Sequence, residues 1–147
     1  MAECINASIR LGGKLPAEHA DELLELINEK RLGPDWGQGS EVTREDLLKH
    51  NFFGNSEVNY GNLEEIEAFC REHDLSYEYE CGAGSEWDAY TTIYDARTGE
   101  SREFVGEQTK AIDLETVKEL GSYEAVLAYF DTTLPPFEIV GEFPEDD

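Results

Sequence analysis

Residues 75–107 read LSYEYECGAGSEWDAYTTIYDARTGESREFVGE, and their pattern decides the fold class. Leu75, Tyr77, Tyr79 and Cys81 alternate with Ser76, Glu78 and Glu80. That period of two marks a half-buried strand, here with an acidic outer side. Gly82-Ala83-Gly84-Ser85 is a turn, and residues 89–95 return as a second strand. Arg97-Thr98-Gly99 turns the chain once more into a third strand, Arg102–Glu107. Strands joined by short turns of this kind form an antiparallel meander.

Upstream, Asn62 caps a predicted helix over 63–73, with Leu63, Ile66, Phe69 and Cys70 turned inward. The chain opens on an alternating strand, residues 4–11. Ile5, Ala7, Ile9 and Leu11 lie on one side, and Cys4, Asn6, Ser8 and Arg10 on the other. Gly12-Gly13 reads as its end. Pro16 suits the first turn of a helix over 16–30 with Ala20, Leu23, Leu24 and Ile27 on one face. Residues 31–61 read as an irregular insert. Gly33-Pro34, Gly37 and Gly39 mark a loop, Thr43 and Asp46 bracket the start of a short helix over Arg44–His50, and Val58 and Tyr60 make a brief strand. Downstream, helices are predicted over 114–120 and 122–131, the second capped by Ser122. Pro135-Pro136 stops them, Phe137–Val140 is a last strand, and Glu142–Asp147 is a short acidic tail.

The resulting order is β-α-(insert)-β-α-β-β-β-α-β. It predicts a single acidic α+β domain over 1–147. Its sheet is antiparallel or mixed, of about five strands, with helices packed on one face and a ferredoxin-like core as the natural arrangement.

Charge bounds the function. The chain carries 34 Asp and Glu against 11 Lys and Arg, for a formal net charge of -23 on 147 residues. Both halves are acidic, so the excess is not a tail. Self-repulsion on this scale opposes a compact fold. A basic partner, a high-salt habitat or a cation would account for it. Phosphates of DNA, RNA or an anionic membrane would meet like charge, which disfavours direct binding to any of them. The chain is nevertheless 39% hydrophobic with two Trp, seven Tyr and seven Phe, too apolar for a disordered acidic chain. No apolar run is long enough to span a bilayer. The start, Met1-Ala2-Glu3-Cys4, has no secretion-signal pattern, and a cytoplasmic protein is expected. Three cysteines, an odd number, do not suggest a disulfide framework.

Glu18, Glu22, Glu25 and Glu29 fall within about 60° of one another on the first helix, opposite its apolar stripe. They offer roughly one carboxylate per 5.4 Å of axis, against one phosphate per about 3.4 Å along a DNA strand. A second acidic row is needed to imitate a duplex. Asp21 and the next helix's Glu64, Glu65, Glu67 and Glu72 could supply it. The ordinary alternative is the solvated face of an amphipathic helix. Glu78 and Glu80 share a strand face with Glu103 placed nearby. They could form a carboxylate pair of the glycosidase type, a cation site, or a plain solvent-facing sheet side. Cys70, His73 and Cys81 have partial metal-ligand spacing without a fourth ligand, so no metal or other cofactor is expected. Gly37-Gln38-Gly39 and Gly82-Ala83-Gly84 lack the lysine of a phosphate-binding loop and read as turns. Tyr77, Tyr79, Tyr90 and Tyr94 suit a core or an interface rim better than a base-stacking platform.

Size and charge together resemble, in function class, the small acidic inhibitors that phages and mobile elements use against restriction or CRISPR effectors. The resemblance implies a non-enzymatic nucleic-acid mimic that engages the basic surface of a nucleic-acid-binding protein. The binding residues would be Glu18, Asp21, Glu22, Glu25, Glu29, Glu64, Glu67, Glu78, Glu80 and Glu103. The alternatives are a small interaction or immunity-type module without mimicry, and a carboxylate-based enzyme or cation-binding protein using Glu78 and Glu80.

Overall fold

A computed structural model describes residues 3–34, 36, 41–106 and 110–145. Among these residues, seven strands and five helices form an α+β fold built on one mostly antiparallel sheet. In chain order the elements are β1 (Cys4–Pro16), a single 3-10 turn (Ala17–His19), α1 (Ala20–Glu29) and β2 (Gly33–Pro34). Then come α2 (Arg44–Lys49), β3 (Phe52–Asn59), α3 (Glu64–Glu72), β4 (Ser76–Cys81), β5 (Tyr90–Asp95) and β6 (Glu100–Val105). The chain closes with α4 (Leu114–Leu120), α5 (Tyr123–Phe130) and β7 (Phe137–Val140).

β1 is the axis of the sheet. It pairs antiparallel with β3 on one side and β4 on the other, giving the order β2-β3-β1-β4-β5-β6. Residues 4–81 therefore run β1-α1-β2-α2-β3-α3-β4 with β1 and β3 inside the sheet. The meander β4-β5-β6 widens this sheet at the β4 edge.

The core lies between the sheet and helices α1 and α3. Ile5, Ala7, Ile9 and Leu11 of β1 face Leu23 and Ile27 of α1 and Ile66, Phe69 and Cys70 of α3, all buried. Each Leu, Ile or Phe fully buried here contributes roughly 1.5–3 kcal/mol. Tyr77 and Tyr79 of β4 belong to this core, with Tyr94 and Tyr90 against their rings. Their hydroxyls find partners, Glu67 for Tyr77 and the Gly61 carbonyl for Tyr79.

Three sequence expectations change. First, β1 does not end at Gly12-Gly13. It continues to Pro16, where Gly13–Pro16 pair in parallel with β7. The glycine at 12 serves a close approach, because a Cβ there would stand 2.5 Å from the Pro135 carbonyl oxygen as the chain crosses to reach β7.

Second, the supposed irregular insert contains β3, an eight-residue strand in the middle of the core sheet. Its sequence hides the alternation, since Gly54 and Asn55 are buried where apolar residues would normally sit. The Trp36 ring covers Gly54 so closely that a Cβ would meet it at 2.9 Å. Asn55 donates to the Lys30 carbonyl and accepts from the Glu57 amide, so its burial costs little. The loop glycines Gly37 and Gly39 lie outside the described residues.

Third, the helix expected over 16–30 starts as the 3-10 turn and becomes α-helical only at Ala20. The acidic tail is also less detached than its sequence suggests. Phe143 packs against the core, and the Arg44 guanidinium lies over its ring at 5.1 Å.

Candidate interaction surface

The α1–α3 layer presents most of the expected acidic residues. Glu22, Glu25 and Glu29 are exposed on α1, and Glu18 is exposed on the 3-10 turn before it. The core fixes this orientation, because Leu23, Leu24 and Ile27 occupy the opposite arc. α3 lies beside α1 and exposes Glu64, Glu65 and Glu72. Lys30 forms an ion pair with Glu65 at 3.4 Å, and the His73 ring lies 3.7 Å from the Glu22 carboxylate.

The face is therefore not a bare row of carboxylates. Glu18 lies 3.5 Å from His19, whose ring stacks on His73 at 4.5 Å. Asp21 is held by a bidentate Arg44 at 2.8 and 2.6 Å, which keeps its carboxyl below the usual range.

Glu67 leaves the expected row altogether. It turns toward the sheet and accepts a hydrogen bond from the Tyr77 hydroxyl at 2.8 Å. Partial burial raises its pKa, opposed by that hydrogen bond and by Arg71. The sequence shows Glu67 at a polar helix position, but only the reach of Tyr77 from the following strand reveals its inward turn.

Glu78 and Glu80 share the sheet face opposite α1 and α3, as their alternation predicts. They do not form an open pair. Arg10 of β1 is in register with Glu78 and reaches over the Phe52 ring, and Lys110 binds Glu78 at 3.1 Å. Burial and the Glu78 charge push the Glu80 pKa up, against the pull of Lys110 and Arg10. Glu103 does not join them. It is in register with Thr92, and Thr92 with the core residue Tyr79, so Glu103 belongs to the other sheet face. Counting along β6 from its pairing with β5 settles this, and the sequence alone does not supply that register.

Among the described residues, no group of three or more His, Cys, Asp or Glu is placed to hold a metal ion. Cys70 is sealed in the core, where burial pushes its thiol up to about 12. Cys81 is buried beneath Gly61, and Cys4 is exposed. No described helix is long and apolar enough to cross a membrane.

A second surface was not singled out by the sequence. α4 and α5 bury no side chain completely. Asp113 and Ser122 cap them, accepting from the amides of Thr116 and Ala125, and Gly121 in the left-handed region separates them.

The pair is fastened to β6 on both sides, by the bridge between Val105 and Ala111 just before α4 and by the last turn of α5. Tyr129 and Phe130 stack on Phe104 of β6 at 5.1 and 5.2 Å, and Arg102 donates to the carbonyls of Ala128, Tyr129 and Asp131. Phe104 is in register with Thr91 and so with Glu80, which places α5 on the sheet face away from α1 and α3. The Tyr129 hydroxyl also bonds both the amide and the carbonyl of Glu103, covering part of the β6 edge.

Between these fastenings, Leu114, Tyr123 and Leu127 are 67%, 73% and 53% exposed. Val117, Tyr123 and Val126 line a shallow groove of about 500 Å³ between the helices.

No protein-family model, curated protein or solved structure matches this chain. The functional reading therefore rests on its own surfaces.

Proposed function

We propose that this protein is a non-enzymatic binding protein whose acidic α1–α3 face occupies a basic, nucleic-acid-binding surface of another protein. The observation that supports it most is the exposure of Glu22, Glu25 and Glu29 on one helix beside Glu64, Glu65 and Glu72 on the next, both packed onto the sheet. Packed helices lie about 8–10 Å apart, so carboxylates stand in two rows on a rigid scaffold. A Lys/Arg groove that binds phosphates would take such an array in their place, and the net charge would steer the encounter.

Glu78 is less suited to this role, because Lys110 and Arg10 already neutralise its surroundings. The same neutralisation weighs against the carboxylate-enzyme alternative.

The test is capture of nucleic-acid-binding proteins from a nuclease-treated lysate on the immobilised chain, followed by elution with duplex DNA. Reversal of Glu22, Glu25 and Glu29 to Lys should weaken capture about tenfold or more. The effect should shrink in high salt, where the screening length drops to about 3 Å at 1 M. Capture that survives the reversal, ignores salt and resists DNA would refute the reading.

A further inference from the structure

The sheet face opposite α1 and α3 holds a cleft of about 270 Å³ that the acidic helical layer does not touch. One register row crosses that face, from Gly54 of β3 through Ser8 of β1, Glu80 of β4 and Thr91 of β5 to Phe104 of β6. α5 covers the Phe104 end. The Trp36 ring covers the Gly54 end, where a Cβ would meet it at 2.9 Å. Trp36, Asn6, Glu80, Tyr90 and Thr91 line the cleft. The Asn6 side chain occupies the space that a Cβ on Gly82 would need, as Trp36 does at Gly54. Two absent Cβ atoms thus seat two of the lining side chains.

Among the described lining residues, Glu80 is the only charged one. The two cations whose charges reach it are engaged elsewhere. Lys110 binds Glu78 at 3.1 Å, and Arg10 lies over the Phe52 ring at 5.1 Å. Burial and the Glu78 charge still raise the Glu80 pKa against both, so one more cation at its carboxylate favours the ionised form. Trp36, 40% exposed, brings an aromatic ring to the same cleft. It sits over β3, two strands or about 10 Å from β4. That leaves room for a flat group between the indole and the carboxylate. A guanidinium suits both, because its N–H fork matches a carboxylate and its plane stacks on an indole, whereas an ammonium is a compact point charge. We infer that this cleft is a binding site for a guanidinium group, carried by a free alkylguanidine or by an arginine side chain of a partner. The Asn6 carboxamide and Thr91 hydroxyl add acceptors for its remaining donors. Drug-sized ligands occupy about 300–1,000 Å³, so the cleft takes one such group and little more. It lies on the sheet face away from α1 and α3, so the inference does not rest on the proposed mimicry.

The experiment titrates the full chain with ethylguanidine and with an end-blocked Gly-Arg-Gly peptide. Gly-Lys-Gly and the uncharged, equally planar Gly-citrulline-Gly are the controls. Calorimetry gives the affinity, and the indole N–H resonance of Trp36, identified by its loss in Trp36→Phe, gives the place. The guanidinium probes should bind and shift that resonance. The Lys and citrulline peptides should bind about fivefold more weakly or less tightly still. Glu80→Gln should weaken the guanidinium probes about tenfold or more, since it removes a charge-assisted partner. Trp36→Ala should weaken them about threefold or more. Reversal of Glu22, Glu25 and Glu29 to Lys should leave binding within about twofold, since distant sites act independently. That separates failure of this site from failure of the α1–α3 reading.

Circular dichroism checks that each variant is folded. Glu80→Gln keeps the size of the side chain, and it carries the test if Trp36→Ala does not fold. Ethylguanidine binding as tightly as the arginine peptide supports the site with a free molecule as its ligand. Tighter binding of the peptide supports it with a partner's arginine. Equal binding of the citrulline or Lys peptide, or guanidinium binding that Glu80→Gln leaves unchanged, would overturn the inference.

Discussion

The two helical layers of this molecule make opposite use of apolar residues. α1 and α3 turn Leu23, Ile27, Ile66 and Phe69 into the sheet and leave mostly acidic side chains outside. α4 and α5 carry comparable apolar content, yet bury none of it completely and touch the sheet mainly through Tyr129 and Phe130. The first pair is held by burial. The second is held by end fastenings, the Arg102 bonds and the Tyr129 clamp on Glu103. Burial rigidifies a surface, whereas end fastening leaves apolar groups open to solvent.

The largest expected effect tests whether this contrast extends to energies. Phe53 is fully buried in β3, so Phe53→Ala should cost about 3–5 kcal/mol in urea unfolding. Leu127→Ala should change stability by less than about 0.5 kcal/mol. A comparable loss from Leu127→Ala would mean that α5 is packed as tightly as the core, and the contrast would collapse.

A smaller effect is expected from the α5 cap. Ser122→Ala removes the acceptor for the Ala125 amide, worth about 1 kcal/mol. Hydrogen exchange should show that loss in the amides of α5 while those of β1 and β4 keep their protection. Equal loss in both regions would show that the hairpin and the sheet unfold as one unit.

The smallest effects are in pH dependence, and here the two regions should differ in sign. Folded Glu67 holds its proton more tightly than the unfolded chain does, because it is partly buried. Its contribution is fully present below the unfolded value of about 4.3 and is lost as pH rises through the raised folded value. Glu67→Gln should therefore reduce the decline in melting temperature as pH increases above about 4.3. Asp113, the α4 cap, is shifted the other way by its bonds to Thr116. Its contribution is present above about 3.9 and is lost as pH falls through its lowered folded value, so α4 should lose exchange protection in acid. An unchanged pH profile in Glu67→Gln would remove the assigned role of its burial.

Much of this fold is written locally. The alternation of Tyr77, Tyr79 and Cys81, the Ser122 cap and the strand Phe137–Val140 all stand where their neighbours in the chain predict. What the sequence concealed depends on groups distant along the chain. Gly12 resembles a terminator until Pro135 is seen crossing it. Gly54 and Asn55 break the apolar alternation of β3, and Trp36 and the Lys30 carbonyl supply their partners.

The candidate surface divides in the same way. The exposure of Glu22, Glu25 and Glu29 follows from helix periodicity alone. The inward turn of Glu67 and the placement of Glu103 follow from tertiary register. The exposure of Leu114, Tyr123 and Leu127 could not be read at all, since an apolar helix face looks the same whether the fold covers it or leaves it open.

The place of β1 at the centre of the sheet has a consequence for how the chain acquires its shape during synthesis. β1 precedes every strand it pairs with, and those partners emerge in the order β3, β4, β7. At roughly 5–20 residues per second, its apolar row waits several seconds, a window in which a chaperone would find it. Residues 4–81 can then assemble the acidic helical layer while the rest is still being made. Closing β7 onto Gly13–Pro16 joins nearly opposite ends of the chain, the pairing with the highest entropic cost and so the natural late step. A nascent chain halted before residue 137 would carry the acidic face on a β1 whose last four residues still lack their parallel partner.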